Sequence, residues 1–368
     1  MKIGVDGRTI QDSKMAGIGT YAFEIISHFR DECQLYLNAN LSNSYLDKSK
    51  NIQKYTLRFP SYRWKFEQIW ELTALPIMAS KYKPDIFWGP RFFVPPKLKC
   101  PSVCTIHDIA FKLIPGVVNA KQLAYFERLL SYSIKSADHF ISVSNATKAD
   151  FCNNYGVDPD RVSVVYNGYN KQFDEILDPV TIASTLSKLN IQTSFILFLG
   201  TLEPRKNLKR LVKAYMNSKA LRNDVALVLS GKIGWEDKSF FEEIQPLINR
   251  KKIIVTGYVS RLQLRALLQS CMIFAFPSLY EGFGIPVLEA MASGAPVLTS
   301  NNSSLRELFK GYSLLVDPLS VESIKAGIEN YMDETVRQFY ILKSKELVQN
   351  FSWEKCSEEH VKVFSGIV

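Results

Sequence analysis

Each thing this 368-residue sequence lacks removes a class of protein. No apolar run approaches the ~20 residues that a helix needs to cross a bilayer. The N-terminus, MKIGVDGR, enters a strand pattern at once, so no signal peptide is expected. Histidine is scarce, at four residues. The six cysteines include one Cys-x3-Cys pair, Cys100 and Cys104, with neither a second pair nor a histidine cluster to complete a zinc site. No bound metal and no cofactor is therefore expected. Most cysteines lie in apolar settings such as LLQSCMIFAF, which points to reduced core thiols in a cytoplasmic protein. No full Gly-x-Gly-x-x-Gly fingerprint follows a strand, no repeat recurs at solenoid periods, and there is no low-complexity segment. Long like-charge runs and RNA-binding signatures are also absent. The net charge of +9 is spread as 22 Lys and Arg against 18 Asp and Glu in residues 1–178, and 23 against 18 in residues 179–368. Without a basic tail, nucleic acid is not an expected partner. An anionic substrate or an anionic membrane surface remains open.

What is present is alternation. Short, continuously apolar runs (KIGVD, CQLYLN, DIFWG, SVCTIH, HFISVS, VSVVYN, then FILFLG, ALVLSG, IIVTGY, MIFAFP, PVLTS, SLLVD) are separated by longer amphipathic stretches, among them 62–82 and 119–136. Such strands imply parallel sheets covered on both faces by helices. With 46% apolar residues and a mean hydropathy near zero, the chain reads as globular. Twelve strands are too many for one tidy sheet, so an α/β fold of two doubly wound, Rossmann-like domains is expected. The joint falls in the polar stretch NGYNKQFDEILDPVT, placing the domains at 1–178 and 179–350. Ligands of such sheets bind beyond the carboxyl ends of the strands, and with two domains the central cleft is the expected site.

The residues after each strand therefore matter most. SLYEGFGIPVLEAMASGAPVLTS, residues 278–300, holds Glu281 and Glu289 with Gly-Phe-Gly-Ile-Pro between them. On one unbroken helix they would lie roughly 12 Å apart along the axis. Gly282 and Gly284 favour a loop instead, and Pro286 suits a helix start. Glu281 is then expected on a loop ahead of a helix mouth and Glu289 in the first helical turn, with open amides and the positive dipole end between them. That arrangement suits a ligand with an anionic middle and hydroxyl-rich ends. After FILFLG, Arg205 and Lys206 stand at the mouth of a helix, where cations oppose the dipole; they are either solvated or waiting for an anion. After SVCTI come His107 and Asp108, and a histidine there is either a structural hydrogen-bonder or a catalytic group. Gly17 and Gly19 precede a helix expected near Tyr21 and either approach a phosphate or simply turn the chain. Ser144 or Asn145 reads as a helix cap. Asp158-Pro159-Asp160 mimics a metal-holding Asp-x-Asp but reads as a turn. SYRWKFEQIWELTALPI reads as a core or cleft-wall helix with Trp64, Ile69, Leu72 and Leu75 on one face.

Taken together, AGIGTY, HDIAF, GTLEPRKNL, TGYVS and, above all, PSLYEGFGIPVLEAMASGAPVLTS resemble the GT4 family of retaining glycosyltransferases with the GT-B fold. The likeness runs over nearly the whole chain, through FSWEKCSEEHVKVF, and within the family it is nearest to bacterial mannosyltransferases of O-antigen or capsule assembly. The Glu-x7-Glu segment with Pro277, Gly294 and Pro296 around it is its most specific mark. The resemblance implies that the helix in 351–368 crosses back to complete the first, acceptor-side domain, and that 179–350 binds the nucleotide-sugar. It implies that Glu281 bonds the donor sugar, with amides of Phe283, Gly284 and Ile285 near sugar and phosphate, and that Glu289 accepts from the ribose. Arg205 and Lys206 would neutralise the departing diphosphate, and Gly17 and Gly19 would close over it. Backbone at Tyr258 and Val259 would meet the base, and His107 would lie near the reacting carbon. Many members carry an arginine where this chain has Thr201, so Arg205 is expected to take over that charge.

The reaction so implied needs no metal and no carboxylate nucleophile; it moves a hexose from GDP-mannose, or from a UDP-sugar, to a glycan or lipid-linked acceptor. The protein would be cytoplasmic, with the first domain docking at the inner face of the cytoplasmic membrane. A nicotinamide-dependent oxidoreductase would want the missing glycine fingerprint. A non-catalytic nucleotide-sugar binder would keep the same residues and differ only in turnover.

Overall fold

The apolar runs close into two parallel sheets, each with helices packed on it. The computed structural model describes residues 1–10, 17–38, 51–57, 69–232, 234 and 238–368. Contacts divide these into two units, Met1–Gly168 with Ser352–Val368, and Tyr169–Phe351. Among the described residues, no helix is long and apolar enough to cross a membrane.

In the first unit, β1 (Lys2–Asp6), β2 (Glu32–Leu37), β3 (Ile52–Thr56), β4 (Ile86–Gly89), β5 (Ser102–Ile106), β6 (His139–Ser142) and β7 (Val162–Val164) form one sheet ordered β3-β2-β1-β4-β5-β6-β7. All of its pairings are parallel. Strands β4 and β5 are buried at every position, as a central strand covered on both faces requires. β3 was not expected. Its sequence, IQKYT, lies on the sheet edge with most side chains half-exposed, so it carries no apolar run to reveal it.

The second unit holds β8 (Phe195–Leu199), β9 (Ala226–Ser230), β10 (Ile253–Gly257), β11 (Ile273–Phe276), β12 (Val297–Ser300) and β13 (Leu314–Val316), ordered β10-β9-β8-β11-β12-β13. These pairings too are parallel. Strand order reverses between β1 and β4 in one sheet and between β8 and β11 in the other. At such a reversal the connections leave toward opposite faces and open a crevice at the carboxyl edge.

Side-chain caps explain several helix starts. Ser144 caps Asn145–Tyr155 by accepting from the Thr147 amide, and Asn119 with Gln122 forms a capping box ahead of Ala120–Ser136. The Asp158 side chain accepts from the Asp160 amide in a 3-10 turn. The six cysteines are free thiols, all but Cys100 buried.

Two expectations meet differences. The division between units falls at Gly168, ahead of the expected joint at 178, because residues 169–178 pack onto the second unit. There the Phe173 carbonyl accepts from Ser293 Oγ, Arg265 pairs with Glu175, and Gln269 accepts from the Leu177 amide. The aromatic helix is also phased differently. A π-turn at Trp70–Ala74 adds a residue to the winding and rotates the apolar face, burying Trp70, Leu75 and Met78 while Ile69 stays 46% exposed. Trp64 lies outside the described residues.

Candidate active site

In the second unit the loops after β8 and β11 meet at the point where strand order reverses, which brings residues 75 positions apart into one cluster. A 3-10 turn, Pro204–Lys206, follows β8 and ends at Asn207, whose φ of 64° is a left-handed value that asparagine tolerates. The buried Asn207 amide donates to the Pro277 carbonyl at 3.0 Å and the Pro318 carbonyl at 2.6 Å. The Leu279 amide donates to the Arg205 carbonyl at 2.8 Å. Loop is thus sewn to loop before any charge is considered.

The charges converge on Glu281. Lys206 Nζ lies 2.6 Å from Oε1 and Arg205 Nη1 2.9 Å from Oε2. Arg205 also donates to the Tyr280 carbonyl at 2.8 Å and pairs with Glu203 at 3.0 Å. The Lys206 ammonium sits 4.7 Å from the centre of the Phe276 ring. Lys206 and Glu281 are 8% and 9% exposed, so neither cation mouth nor carboxylate is a solvated surface group. Burial acts to raise the Glu281 carboxyl, but the Lys206 and Arg205 charges outweigh it and hold it down at about 2. Burial lowers Lys206; Glu281 opposes that and Arg205 reinforces it. The Glu281 direction follows from two cations facing one carboxylate, the Lys206 direction first from burial. Glu281 is therefore ionised at neutral pH and can only accept hydrogen bonds.

Beyond Glu281 the chain turns at Gly284, φ 106°, into the helix Ile285–Ala292. A Cβ at Gly284 would stand 2.8 Å from the Leu305 side chain, so glycine serves both the turn and the close approach. Ser304 Oγ donates to the carbonyls of Glu281 and Phe283, at 2.8 and 3.2 Å, and fixes the loop ahead of the helix. The amides of Gly284 and Ile285 open that helix, where the first N–H groups have no intrahelical partner. Pro286 takes its second position. Glu289, expected in the first turn, is the fifth helical residue and partly buried; the helix starts only at Ile285, after the left-handed step at Gly284.

The other expected residues are distributed by unit. Tyr258 follows β10 and is 77% exposed, whereas Val259 is 8% exposed. In the first unit Gly17 is exposed and precedes a helix that begins at Ile18, not near Tyr21. Gly19 is thus a buried helical residue rather than part of the turn, because the Tyr21 amide already donates to the Gly17 carbonyl at 3.0 Å. His107 follows β5, with Nε2 2.7 Å from the Pro90 carbonyl. A carbonyl only accepts, so Nε2 carries the proton. Burial lowers the His107 pKa, with Pro90 and Asp108 opposing, and the ring is neutral with Nδ1 as its acceptor. Among the described residues, no group of three or more His, Cys, Asp or Glu is placed to hold a metal ion.

Sequence reasoning missed Glu203, Asn207 and the packing of the strand-end glycines. A Cβ at Gly231, after β9, would stand 1.9 Å from the Gly200 carbonyl oxygen, after β8. A glycine closing each of FILFLG and ALVLSG was the available signal. Nothing in the sequence marked Glu203, whose role depends on where the Arg205 fork points.

Comparison with known proteins agrees with this layout. The family model "Glycosyltransferase Family 4" matches residues 15–173, and "Glycosyl transferases group 1" matches residues 186–347. Escherichia coli O-antigen chain mannosyltransferase B is 28% identical over 374 residues, covering 95% of this chain and 96% of that protein. Part of the longer Escherichia coli serotype-specific mannosyltransferase WbdA is 31% identical over 284 residues, covering 73% of this chain and 34% of that protein. Anabaena HepE, solved with UDP and glucose, superposes with a TM-score of 0.76 at 19% identity over 100% of both chains. WaaG, a glycosyltransferase of lipopolysaccharide biosynthesis, does so with a TM-score of 0.76 at 15% identity, again over 100% of both chains. At those identities the likeness is one of fold. With both halves matched by family models, both sheets doubly wound and Glu281 held at a strand-order reversal, this chain belongs to the GT4 family of glycosyltransferases and has the GT-B fold.

Proposed function

We propose that this glycosyltransferase moves mannose from GDP-mannose, with retention of configuration, onto a growing, lipid-linked cell-surface polysaccharide at the cytoplasmic face of the membrane. The observation that carries the reading is the buried cluster of Arg205, Lys206 and Glu281 directly ahead of a helix mouth. Two relatives named as mannosyltransferases, one of them of the O-antigen chain, support the choice of sugar and acceptor class.

Without a donor, Glu203 and Glu281 neutralise the two cations. An arriving diphosphate carries more charge than either carboxylate and would take Arg205 and Lys206 as partners, aided by the helix dipole. Glu281 would then be released to accept from the hydroxyls of the donor sugar, orienting it rather than attacking it. Glu289, one turn into the helix, would accept from the ribose, while the amides of Phe283, Gly284 and Ile285 lie along sugar and phosphate. Backbone at Tyr258 and Val259 would meet the base, and Gly17 and Gly19 would approach the diphosphate from the first unit. Neutral His107 would offer Nδ1 as an acceptor near the reacting carbon. The leaving group gathers negative charge as the glycosidic bond breaks, so fixed cations stabilise the transition state more than the ground state. The first unit would bind the acceptor, and the net charge of +9 would favour an anionic membrane surface.

The test is nucleoside diphosphate release from GDP-mannose, UDP-glucose, UDP-galactose and UDP-N-acetylglucosamine, with EDTA and crude lipid-linked acceptor present. Release from GDP-mannose alone is expected. Release from a UDP-sugar would overturn the donor, and tight donor binding without turnover on any supplied acceptor would favour a nucleotide-sugar-binding protein. Vesicle binding that is indifferent to salt would remove the electrostatic account of membrane contact.

A further inference from the structure

Behind His107, a chain of hydrogen bonds runs through the buried interior of the first unit to the C-terminal helix, Trp353–Ser365. Trp88 Nε1 is 2.9 Å from Thr105 Oγ1, which is 3.3 Å from Tyr21 Oη. Tyr21 Oη is 2.6 Å from His360 Nε2, and His360 Nδ1 is 2.7 Å from the Cys356 carbonyl. All five residues are at most 1% exposed. The bond directions follow once His360 is neutral, a state that its full burial favours. An indole N–H only donates and a carbonyl only accepts. With one proton on the ring, His360 donates through Nδ1–H to the Cys356 carbonyl and accepts at Nε2 from Tyr21; Tyr21 then accepts from Thr105, which accepts from Trp88.

Tyr21 is where this chain meets the proposed site. Its ring lies 4.5 Å from that of His107, centre to centre, at 86°. Trp88, Trp353 and His360 surround the same tyrosine ring at 6.0, 6.1 and 5.7 Å. The His107 imidazole is thus held at one edge by the Pro90 carbonyl and against one side by a tyrosine whose hydroxyl end is anchored to His360. Sequence separation hides the arrangement, since Tyr21 and His360 are 339 residues apart.

We propose that Tyr21 and His360 are positioning residues, through which the C-terminal helix sets the orientation of the His107 imidazole. This rests on the reading above that His107 lies at the reacting centre. Neither residue touches substrate; each acts through the next. Loss of the tyrosine ring frees the His107 ring to turn about its side-chain bonds, and loss of the His360 acceptor leaves a buried phenol hydroxyl to find another partner, displacing the ring that carries it.

The experiment is long-range proton–nitrogen NMR of the full chain with labelled histidine, where only four imidazoles contribute, read beside donor turnover. His107 should show a single Nε2–H tautomer. In Tyr21→Leu that signature should be lost and kcat should fall at least thirtyfold, with the donor KM changed less than threefold. Tyr21→Phe keeps the ring and should shift the His360 Nε2 signal while His107 keeps its tautomer. His360→Gln restores an acceptor and should lose far less kcat than His360→Leu, which keeps the test open should Tyr21→Leu fail to fold. An unchanged His107 signature in Tyr21→Leu and His360→Leu would overturn the proposal whatever turnover does. A changed signature with full turnover would uphold the positioning and overturn instead the role of His107 in the reaction.

Discussion

Lys206 Nζ lies 2.6 Å from Glu281 Oε1 in a pocket of the second unit where both side chains are almost fully enclosed. Burial of two charges costs more than a surface pair returns, and such a pair persists only when further bonds satisfy it. Here Arg205 takes the other carboxylate oxygen, Glu203 and the Tyr280 carbonyl hold Arg205, and Phe276 faces the ammonium. On the proposed function, this is charge that an arriving diphosphate would claim.

Removing the carboxylate should separate stability from chemistry. Glu281→Ala leaves the buried Lys206 ammonium without its carboxylate and should cost about 3–5 kcal/mol in urea unfolding. Glu281→Gln keeps an acceptor of the same shape and should cost less, roughly 1–3 kcal/mol. Both should reduce sugar transfer by at least about a hundredfold. Full activity of the Gln variant with unchanged donor affinity would end the assignment of Glu281 to the donor sugar.

Lys206→Met keeps an apolar stem over Phe276 and removes only the charge. Its kcat should fall on the order of 10²–10³. The Glu281 carboxyl, losing its nearest cation, should also rise toward the ordinary carboxylate range, moving the acid limb of the pH–rate profile to higher pH. An acid limb that stays in place would show that Arg205 alone governs Glu281.

Acid should destabilise the fold in two windows. His360 is lowered by burial from 6.5 to about 4, so between those values the unfolded chain takes up a proton that the folded chain refuses. Stability should therefore fall as pH drops from 6.5 to 4, by about 3 kcal/mol for this group. His107 and His139 are lowered too and act in the same sense. Glu281 has a depressed pKa, so its contribution is present above 4.5 and is lost as pH falls from there toward 2. Denaturant titrations from pH 7 to 3 should show both, and His360→Gln should flatten the upper window only.

Two glycines make a matched pair for testing the carboxyl edge. At Gly231, φ 138°, a methyl group would stand 1.9 Å from the Gly200 carbonyl oxygen, so Gly231→Ala should cost roughly 2–6 kcal/mol by strain and overlap together. At Gly17, φ 53° and ψ −111°, no described residue lies within 4 Å of such a methyl, and Gly17→Ala should cost about 1–3 kcal/mol for the backbone alone. Equal shifts in thermal unfolding would show that backbone angle, not close approach, requires Gly231.

Much of this was readable along the chain, for reasons that are local. FILFL and VALVL run into strands because five consecutive apolar residues admit little else between helices. Gly284 before Ile285-Pro286 had to end a loop and start a helix, and that alone set Glu281 ahead of the helix mouth. The edge strand β3 was hidden because an exposed edge asks little of its side chains. The helix near Trp70 was misphased because a π-turn breaks the 3.6-residue period on which face assignment depends. Glu289 and Gly19 missed their expected places by one or two residues, within the reach of a helix start that shifts to Ile285 or Ile18.

The sequence by itself determined which residues are apolar in what period, where glycine and proline break that period, and which charges follow the strands. Those are properties of neighbours on the chain, and they suffice for two doubly wound sheets and a set of candidate residues. Tertiary structure alone decided that Lys206 and Arg205 share Glu281 between them, that Glu203 holds Arg205, and that Tyr21 carries a bond from His107's surroundings to His360. Such pairs depend on strand order, and strand order is set by how whole βα units pack over a sheet, which no short stretch of sequence encodes.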